Sequence, residues 1–177
     1  LSAFQALQRE FREFFVRLFG GGHADLTLTS ADNVLECGVE VTVTVPGKKT
    51  RDLLQLSGGE RALTATAVLF ALLKVKPSPF VILDEVDAPL DDLNVGRYCE
   101  VLREFAQQSQ FIIITHNKGT MEAADTLYGV TMEEPGVSRL IGVRLRDAVE
   151  QAASTRDERA LGMAPQERPV AAAGEGA

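Results

Sequence analysis

The sequence has little cysteine, no long apolar run and no excess of positive charge, and each shortage removes a class of protein. Its two cysteines, Cys37 and Cys99, stand far apart with no CxxC pair. A small secreted scaffold needs a dense, even set of cysteines, so the pattern fits reduced thiols in a cytoplasmic setting better than a disulfide framework. Every apolar stretch breaks off well short of the ~20 residues that a membrane-spanning helix needs, so no membrane partner is expected. The net charge is −7, which argues against a chain that coats nucleic acid with its whole surface. Local basic clusters remain at Lys48, Lys49 and Arg51 and at Arg139, Arg144 and Arg146. Solvated surface charge accounts for each of them more simply than a polyanion site does. No basic segment followed by an apolar one opens the chain as a secretion signal would. The first residue is not Met, and the chain is expected to be a piece of something longer.

A phosphate loop is also missing. Such a loop reads GxxxxGK[ST], and the one Gly-Lys pair here is Gly47-Lys48. Thr42 stands where the leading Gly belongs, and Lys49 replaces the closing Ser or Thr. The pair sits in a valine-rich hairpin turn and is a decoy.

What is present suffices for one domain with a core: 177 residues, 45% hydrophobic. Phe4, Leu7, Phe11, Phe14 and Leu18 recur at spacings of three and four, one apolar face of an opening helix. The helix has no start signal and ends at the glycines 20–22. "DLTLTS" and "VLECGVEVTVTV" alternate apolar and polar, as half-buried antiparallel strands do. In the second, Val39, Val41, Val43 and Val45 share a face. The run from Arg61 to Lys74 is apolar nearly all round and predicts a buried helix, stopped by Pro77 and Pro79. "FVIL" and "FIIIT" predict short, fully buried parallel strands. Between them a helix carries Val95, Tyr98, Leu102 and Phe105 on one face, which makes a βαβ crossover. "TLYGVTM" and "SRLIGVRL" predict two closing strands around "EEPG". From about Ala148 the patterning fades into a tail expected to be partly helical and then disordered.

Four stretches carry chemistry. "LSGGE", residues 56–60, opens the second helix. Ser57 and Glu60 form a capping box on sequence, yet a plain cap does not call for Gly58 and Gly59, each costing about 1 kcal/mol against Ala inside a helix. Close backbone approach to an anion at the helix N-terminus gives those glycines a purpose. "FVILDE" delivers Asp84 and Glu85 at the carboxyl end of a strand, where α/β sheets bind ligands. Asp84 suits Mg²⁺ held through water, and Glu85 suits accepting a proton from an attacking water. An ordinary acidic loop after a strand accounts for the same pair. "FIIITHN" places His116 after a second strand, on the same sheet edge. Asp91, in "APLDD", reads either as part of the site or as a helix cap, and Asp92 is at least as good a cap.

In this order, these motifs resemble the C-terminal half of an ABC-type ATPase. The wider wording is narrower. "PSPFVILDEVDAPLDDLNVGRY" and "ITHNKGTMEAADTLYGVTMEEPGVS" closely resemble the C-terminal head lobe of bacterial SMC (structural maintenance of chromosomes) proteins, and "LFGGGHADLTL" and "GVEVTVTVPGKK" are similar to the same family's preceding strands. The resemblance covers about residues 10 to 145.

It implies an α/β fold, the C-terminal lobe of an ABC-type ATPase head, with a parallel-core sheet, flanking helices and antiparallel edge strands. Residues 1–19 would be the root of a returning coiled-coil helix, 20–147 the lobe and 148–177 the tail. The phosphate loop would lie in an N-terminal lobe at the far end of a long chain. Leu56, Ser57, Gly58, Gly59, Glu60 and Arg61 would form the signature that meets ATP held by a second head. Asp84 would be the Mg²⁺-side acid, Glu85 the catalytic base, Asp91 part of the loop between heads, and His116 the sensor of the γ-phosphate. The implied cofactors are ATP and Mg²⁺. The implied partners are the N-terminal lobe, a second SMC head, a kleisin subunit and, in the full complex, DNA of the bacterial nucleoid. The chain alone is expected to be inactive. A coiled-coil DNA-repair ATPase shares the split-head plan, and a docking platform with decayed motifs is the non-catalytic alternative. A transporter ATPase usually reads "DEPT" where this chain has "DEVDAPLDD".

Overall fold

The computed structural model describes residues 2–30 and 37–144. The tail expected from residue 148, Arg146, and the beginning of the expected strand "VLECG" lie outside them. The described residues fall into two units, one ending at Ala123 and one beginning at Ala124.

In the first unit, α1 (Ser2–Phe19) buries Phe11, Phe14, Phe15 and Leu18. Phe15 widens the stripe beyond the five positions that the spacing picks out. Phe14 meets Phe70 and Phe105 at ring-centroid distances of 6.0 and 5.6 Å, and Phe70 stacks on Phe105 at 5.4 Å. Fully burying a Phe side chain is worth about 1.5–3 kcal/mol, so the helix set apart on sequence as a coil root is also a wall of the core. Arg12 clamps Asp25 with two hydrogen bonds of 2.9 Å, tying α1 to the first strand. Gly20, Gly21 and Gly22 all have positive φ, which lets the chain leave the helix and turn back.

The strands β1 (His23–Leu28), β2 (Val39–Thr44) and β3 (Arg51–Asp52) form an antiparallel sheet in that order. Val43 is buried, whereas Val39, on the same face, is exposed. The 3₁₀ turn Leu53–Gln55 leads into α2 (Gly58–Val75). This helix is not buried all round. Leu63, Thr64, Thr66, Ala67, Phe70 and Ala71 face inward, while Ala65 and Leu72 are exposed. Thr64 and Thr66 are buried because their hydroxyls donate to the carbonyls of Glu60 and Ala62, at 2.7 and 2.9 Å.

β4 (Phe80–Asp84) and β5 (Gln110–Ile114) pair in parallel, linked by α3 (Asp92–Phe105). The crossover expected on sequence is present. The full burial expected of its strands is not. Phe80, Ile82, Ile112 and Ile114 are 58, 59, 48 and 52% exposed, all on one face. Strands buried on both faces and strands covered on one can share the same apolar run, and here only the other face meets the core. The short helix α4 (Lys118–Glu122), absent from the sequence reading, follows β5.

In the second unit, β6 (Thr126–Glu134) and β7 (Val137–Arg144) form the expected antiparallel hairpin, turning at Gly136 with positive φ. Tyr128, Val130, Met132, Leu140 and Ile141 are exposed along it.

Candidate functional site

Parallel pairing in register sets Asp84 opposite Ile114 at the carboxyl ends of β4 and β5. Both strands then release their chemistry at one sheet edge. Glu85 comes directly after one and His116 two residues after the other. His116 Nδ1 lies 3.7 Å from Glu85 Oε1, and both side chains are largely exposed. The structure thus brings together Asp84, Glu85 and His116, as the motif order predicted.

Glu85 has φ 48°, the one non-glycine with positive φ among the described residues. A left-handed conformation costs an L-residue roughly 1–2 kcal/mol. It is held by the Glu85 N–H donating to the Ile114 carbonyl at 2.9 Å and by the Ala88 N–H donating to the Glu85 carbonyl at 3.2 Å. Strain of this kind concentrates at functional sites.

Asp84 ends β4 exposed. Among the described residues no group of three His, Cys, Asp or Glu side chains could hold a metal ion unaided. A single open carboxylate nevertheless fits Mg²⁺, which keeps several waters and takes other ligands from phosphate.

At the N-terminus of α2 the capping-box reading is observed directly. Ser57 is the N-cap, and the capping box is complete: the Ser57 hydroxyl accepts from the Glu60 N–H at 3.3 Å, and Glu60 Oε2 accepts from the Ser57 N–H at 2.9 Å. The two glycines have different reasons. A Cβ on Gly59 would stand 2.9 Å from the Pro89 carbonyl oxygen, so Gly59 is needed for packing inside the chain. A Cβ on Gly58 would meet nothing within 4 Å. The anion reading is thereby narrowed to Gly58 and the exposed Ser57: the capping box engages the Ser57 and Glu60 N–H groups, and helix geometry leaves those of Gly58 and Gly59 without intrahelical partners. Leu56 is buried, and Arg61 donates back to its carbonyl at 3.4 Å.

Lys48, from the decoy pair, reaches Glu60 Oε1 at 2.7 Å. That hydrogen bond first, and the Ser57 N–H second, hold the Glu60 carboxyl at about 2, against an ordinary value of 4.5. A depressed carboxyl stabilises the fold fully above its ordinary range, and the gain is lost as pH falls from 4.5 to about 2. Lys48→Ala should raise the Glu60 titration toward 4.5, read by NMR of its carboxyl carbon. An unmoved titration would assign the shift to Ser57 alone.

Asp91 caps α3, its carboxylate accepting from the Asn94 N–H at 2.8 Å, while Asp92 lies inside the first turn. Capping leaves Asp91 exposed on the loop after Glu85. Glu85, Val86 and Pro89 of that loop also line a cleft of about 330 Å³ with Ala62, Ala65, Thr66 and Leu69 of α2.

Sequence reasoning missed Asp87. It is 1% exposed, and one of its oxygens accepts from Thr115 Oγ1 at 2.6 Å and from Thr120 Oγ1. An acid among the five of "DEVDAPLDD" carries no mark of burial in the sequence. The nearby Tyr98 hydroxyl is buried without a hydrogen-bond partner, and burial raises its pKa well above the usual phenol value.

Residues 8–139 match the family described as RecF/RecN/SMC N terminal domain. The chain is 55% identical, over 82% of its length, to a chromosome partition protein Smc of Myxococcus xanthus, and spans 12% of that relative. It is similar to a solved Smc head domain with an extended coiled coil from Pyrococcus furiosus, bound to the C-terminal domain of ScpA. There the TM-score is 0.80 and the identity 40%, covering 86% of this chain and 38% of that one. A structure described as "Structural biochemistry of ATP-driven dimerization and DNA stimulated activation of SMC ATPases" gives a TM-score of 0.73 at 39% identity, over 88% of this chain and 94% of that one. The family's description names an N-terminal domain, so the match does not itself place this chain in a C-terminal lobe.

Proposed function

Since the chain belongs to the RecF/RecN/SMC family, we propose that it is the C-terminal lobe of an SMC ATPase head, completing an ATP-hydrolysing site with an N-terminal lobe and a second head. The observation that carries this reading is the convergence of Asp84, Glu85 and His116 at one end of a parallel strand pair, with Glu85 held in a strained conformation. The missing phosphate loop sets the direction of the assignment: these are second-half motifs without first-half ones. Two further features support it. Sheets with parallel strands are ordinarily covered on both faces, and the open face at Phe80, Ile82, Ile112 and Ile114 is where an N-terminal lobe would extend or cover the sheet. In addition, a solved relative of nearly the same extent exists as a separate chain.

In this reading Glu85 orients a water in line with the γ-phosphate of ATP and accepts its proton. His116, against Glu85, touches the γ-phosphate. Asp84 would hold Mg²⁺ through water, which when bound offsets phosphate charge. Ser57 and the first N–H groups of α2 point at ATP held by the other head, an isologous arrangement of two identical surfaces. Glu60 and Arg61 complete that surface, Leu56 anchors it from the core, and Asp91 lies in the loop between heads. ATP joins the heads and hydrolysis parts them, a cycle that in the full complex would act on DNA in chromosome organisation and segregation. A kleisin's C-terminal domain would dock on the exposed hairpin β6–β7; the solved Smc head from Pyrococcus furiosus is bound to the C-terminal domain of ScpA. The residue 1–19 helix would continue into the coiled coil, the lobe would run to residue 147, and 148–177 would lie beyond it. No helix among the described residues is long and apolar enough to cross a membrane, and the nucleoid is the proposed location.

The test is calorimetry with ATP on the isolated chain, its folding checked by circular dichroism. A phosphate loop supplies most of the backbone N–H groups that cradle phosphate, so no binding stronger than about millimolar is expected, roughly 4 kcal/mol of binding free energy or less. Micromolar affinity would overturn the assignment.

A further inference from the structure

Asp87 ties the two halves of the candidate site together. Its backbone lies two residues after Glu85, and its carboxylate reaches 28 residues along the chain to accept from Thr115 Oγ1 at 2.6 Å. Thr115 immediately precedes His116. The same Thr115 oxygen accepts the N–H of Asn117 at 2.9 Å, so one hydroxyl brackets His116 from both sides. The second donor to Asp87, Thr120, belongs to α4 and does not bracket His116. At the other end, the Leu90 N–H donates to the Asp87 carbonyl at 3.0 Å, closing a turn that follows directly on the Glu85–Ala88 turn in which Glu85 takes its left-handed conformation. Asp87 is buried, whereas Glu85 and His116 are exposed. It cannot touch a phosphate or a water at the sheet edge.

We propose that Asp87 is a positioning residue, which through Thr115 sets the spacing and orientation of Glu85 and His116 for hydrolysis. The proposal rests on the reading of Glu85 as the base. Both exposed side chains sit on loops; the Glu85 N–H to Ile114 carbonyl bond ties the two strand ends, and the Asp87–Thr115 bond adds a side-chain tie that reaches the residue next to His116. A misplacement of about 1 Å in a reacting group can cost on the order of 10²-fold in rate. Binding of ATP depends mostly on the phosphate loop of the N-terminal lobe and should change little.

The test uses the complete head, with its N-terminal lobe, and compares Thr115→Val, Thr120→Val and Asp87→Asn with the parent and with Glu85→Gln. Thr115→Val removes the hydroxyl that brackets His116. Thr120→Val removes the other donor to the same carboxylate and serves as the control for a merely structural role. Thr115→Val should lower kcat roughly tenfold or more, with KM for ATP within about threefold. Thr120→Val should keep kcat within about twofold, whatever its effect on Tm. Asp87→Asn retains an acceptor oxygen in the same place and should keep more activity than Thr115→Val. Equal kcat losses for the two threonine variants in proportion to their loss of Tm, or no loss for Thr115→Val, would overturn the proposal while Glu85→Gln remains impaired. If Glu85→Gln hydrolyses ATP at the parent rate, Glu85 is not the base, and the positioning role falls with it.

Discussion

Glu85→Gln in the complete head is expected to lower ATP hydrolysis by about 10²–10⁴-fold, the usual contribution of a positioned general base. The amide keeps the size and shape of the carboxylate but cannot take up the water's proton. Binding should survive, because Glu85 is not among the groups that would cradle phosphate, and its substitution leaves Asp84 and the N-terminus of α2 untouched. Joined heads should then accumulate, since in the proposed cycle hydrolysis parts them. Folding should be little affected: the Glu85 side chain is 61% exposed, and its conformation is held by backbone hydrogen bonds to Ile114 and Ala88 that Gln can also make. Turnover assays and sedimentation in ATP measure the two effects. Parent-level hydrolysis would remove Glu85 from its role, and loss of ATP binding would make it a ligand instead of a base.

Ser57→Arg should separate binding from joining. Ser57 is exposed at the start of α2, beside a glycine whose Cβ position is open. A guanidinium there would fill the space through which, in the proposed assembly, the other head's nucleotide approaches. The change also removes an N-cap worth about 1 kcal/mol, a small part of a total stability of roughly 5–15 kcal/mol, so the lobe should still fold. ATP-dependent dimerisation should disappear on a Glu85→Gln background, while the affinity of a single complete head for ATP stays nearly unchanged. Loss of both together, with the fold intact, would mean that Ser57 serves its own pocket and that the assignment across two heads is wrong.

Much of this was legible in the sequence because the relevant forces are local. The stripe of Phe and Leu fixes α1, the alternation of Val and Thr fixes β2, and the apolar runs before Asp84 and before His116 mark the parallel strands. Parallel pairing then makes it inevitable that residues following each strand share an edge. What escaped is non-local. The run "FVIL" reads the same whether one face or both are covered, so the open face at Phe80 and Ile82 could not be foreseen. The glycine at 59 looked like an anion contact, but its neighbour is the Pro89 carbonyl, thirty residues away in the chain. Asp87 finds its partners 28 and 33 residues later, and nothing in its own surroundings distinguishes it from the acids beside it. The positive φ of Glu85 has no sequence signature, because Glu is not a residue type that favours it.

The central claim is that catalysis is divided between this chain and an N-terminal lobe. The most direct measurement is ATP turnover by each lobe alone and by the two mixed. Neither lobe should hydrolyse ATP by itself. The mixture should, and mixing in the Glu85→Gln lobe should give binding without turnover. Turnover by this chain alone, or a mixture that assembles and binds ATP yet never hydrolyses it with Glu85 intact, would contradict the account.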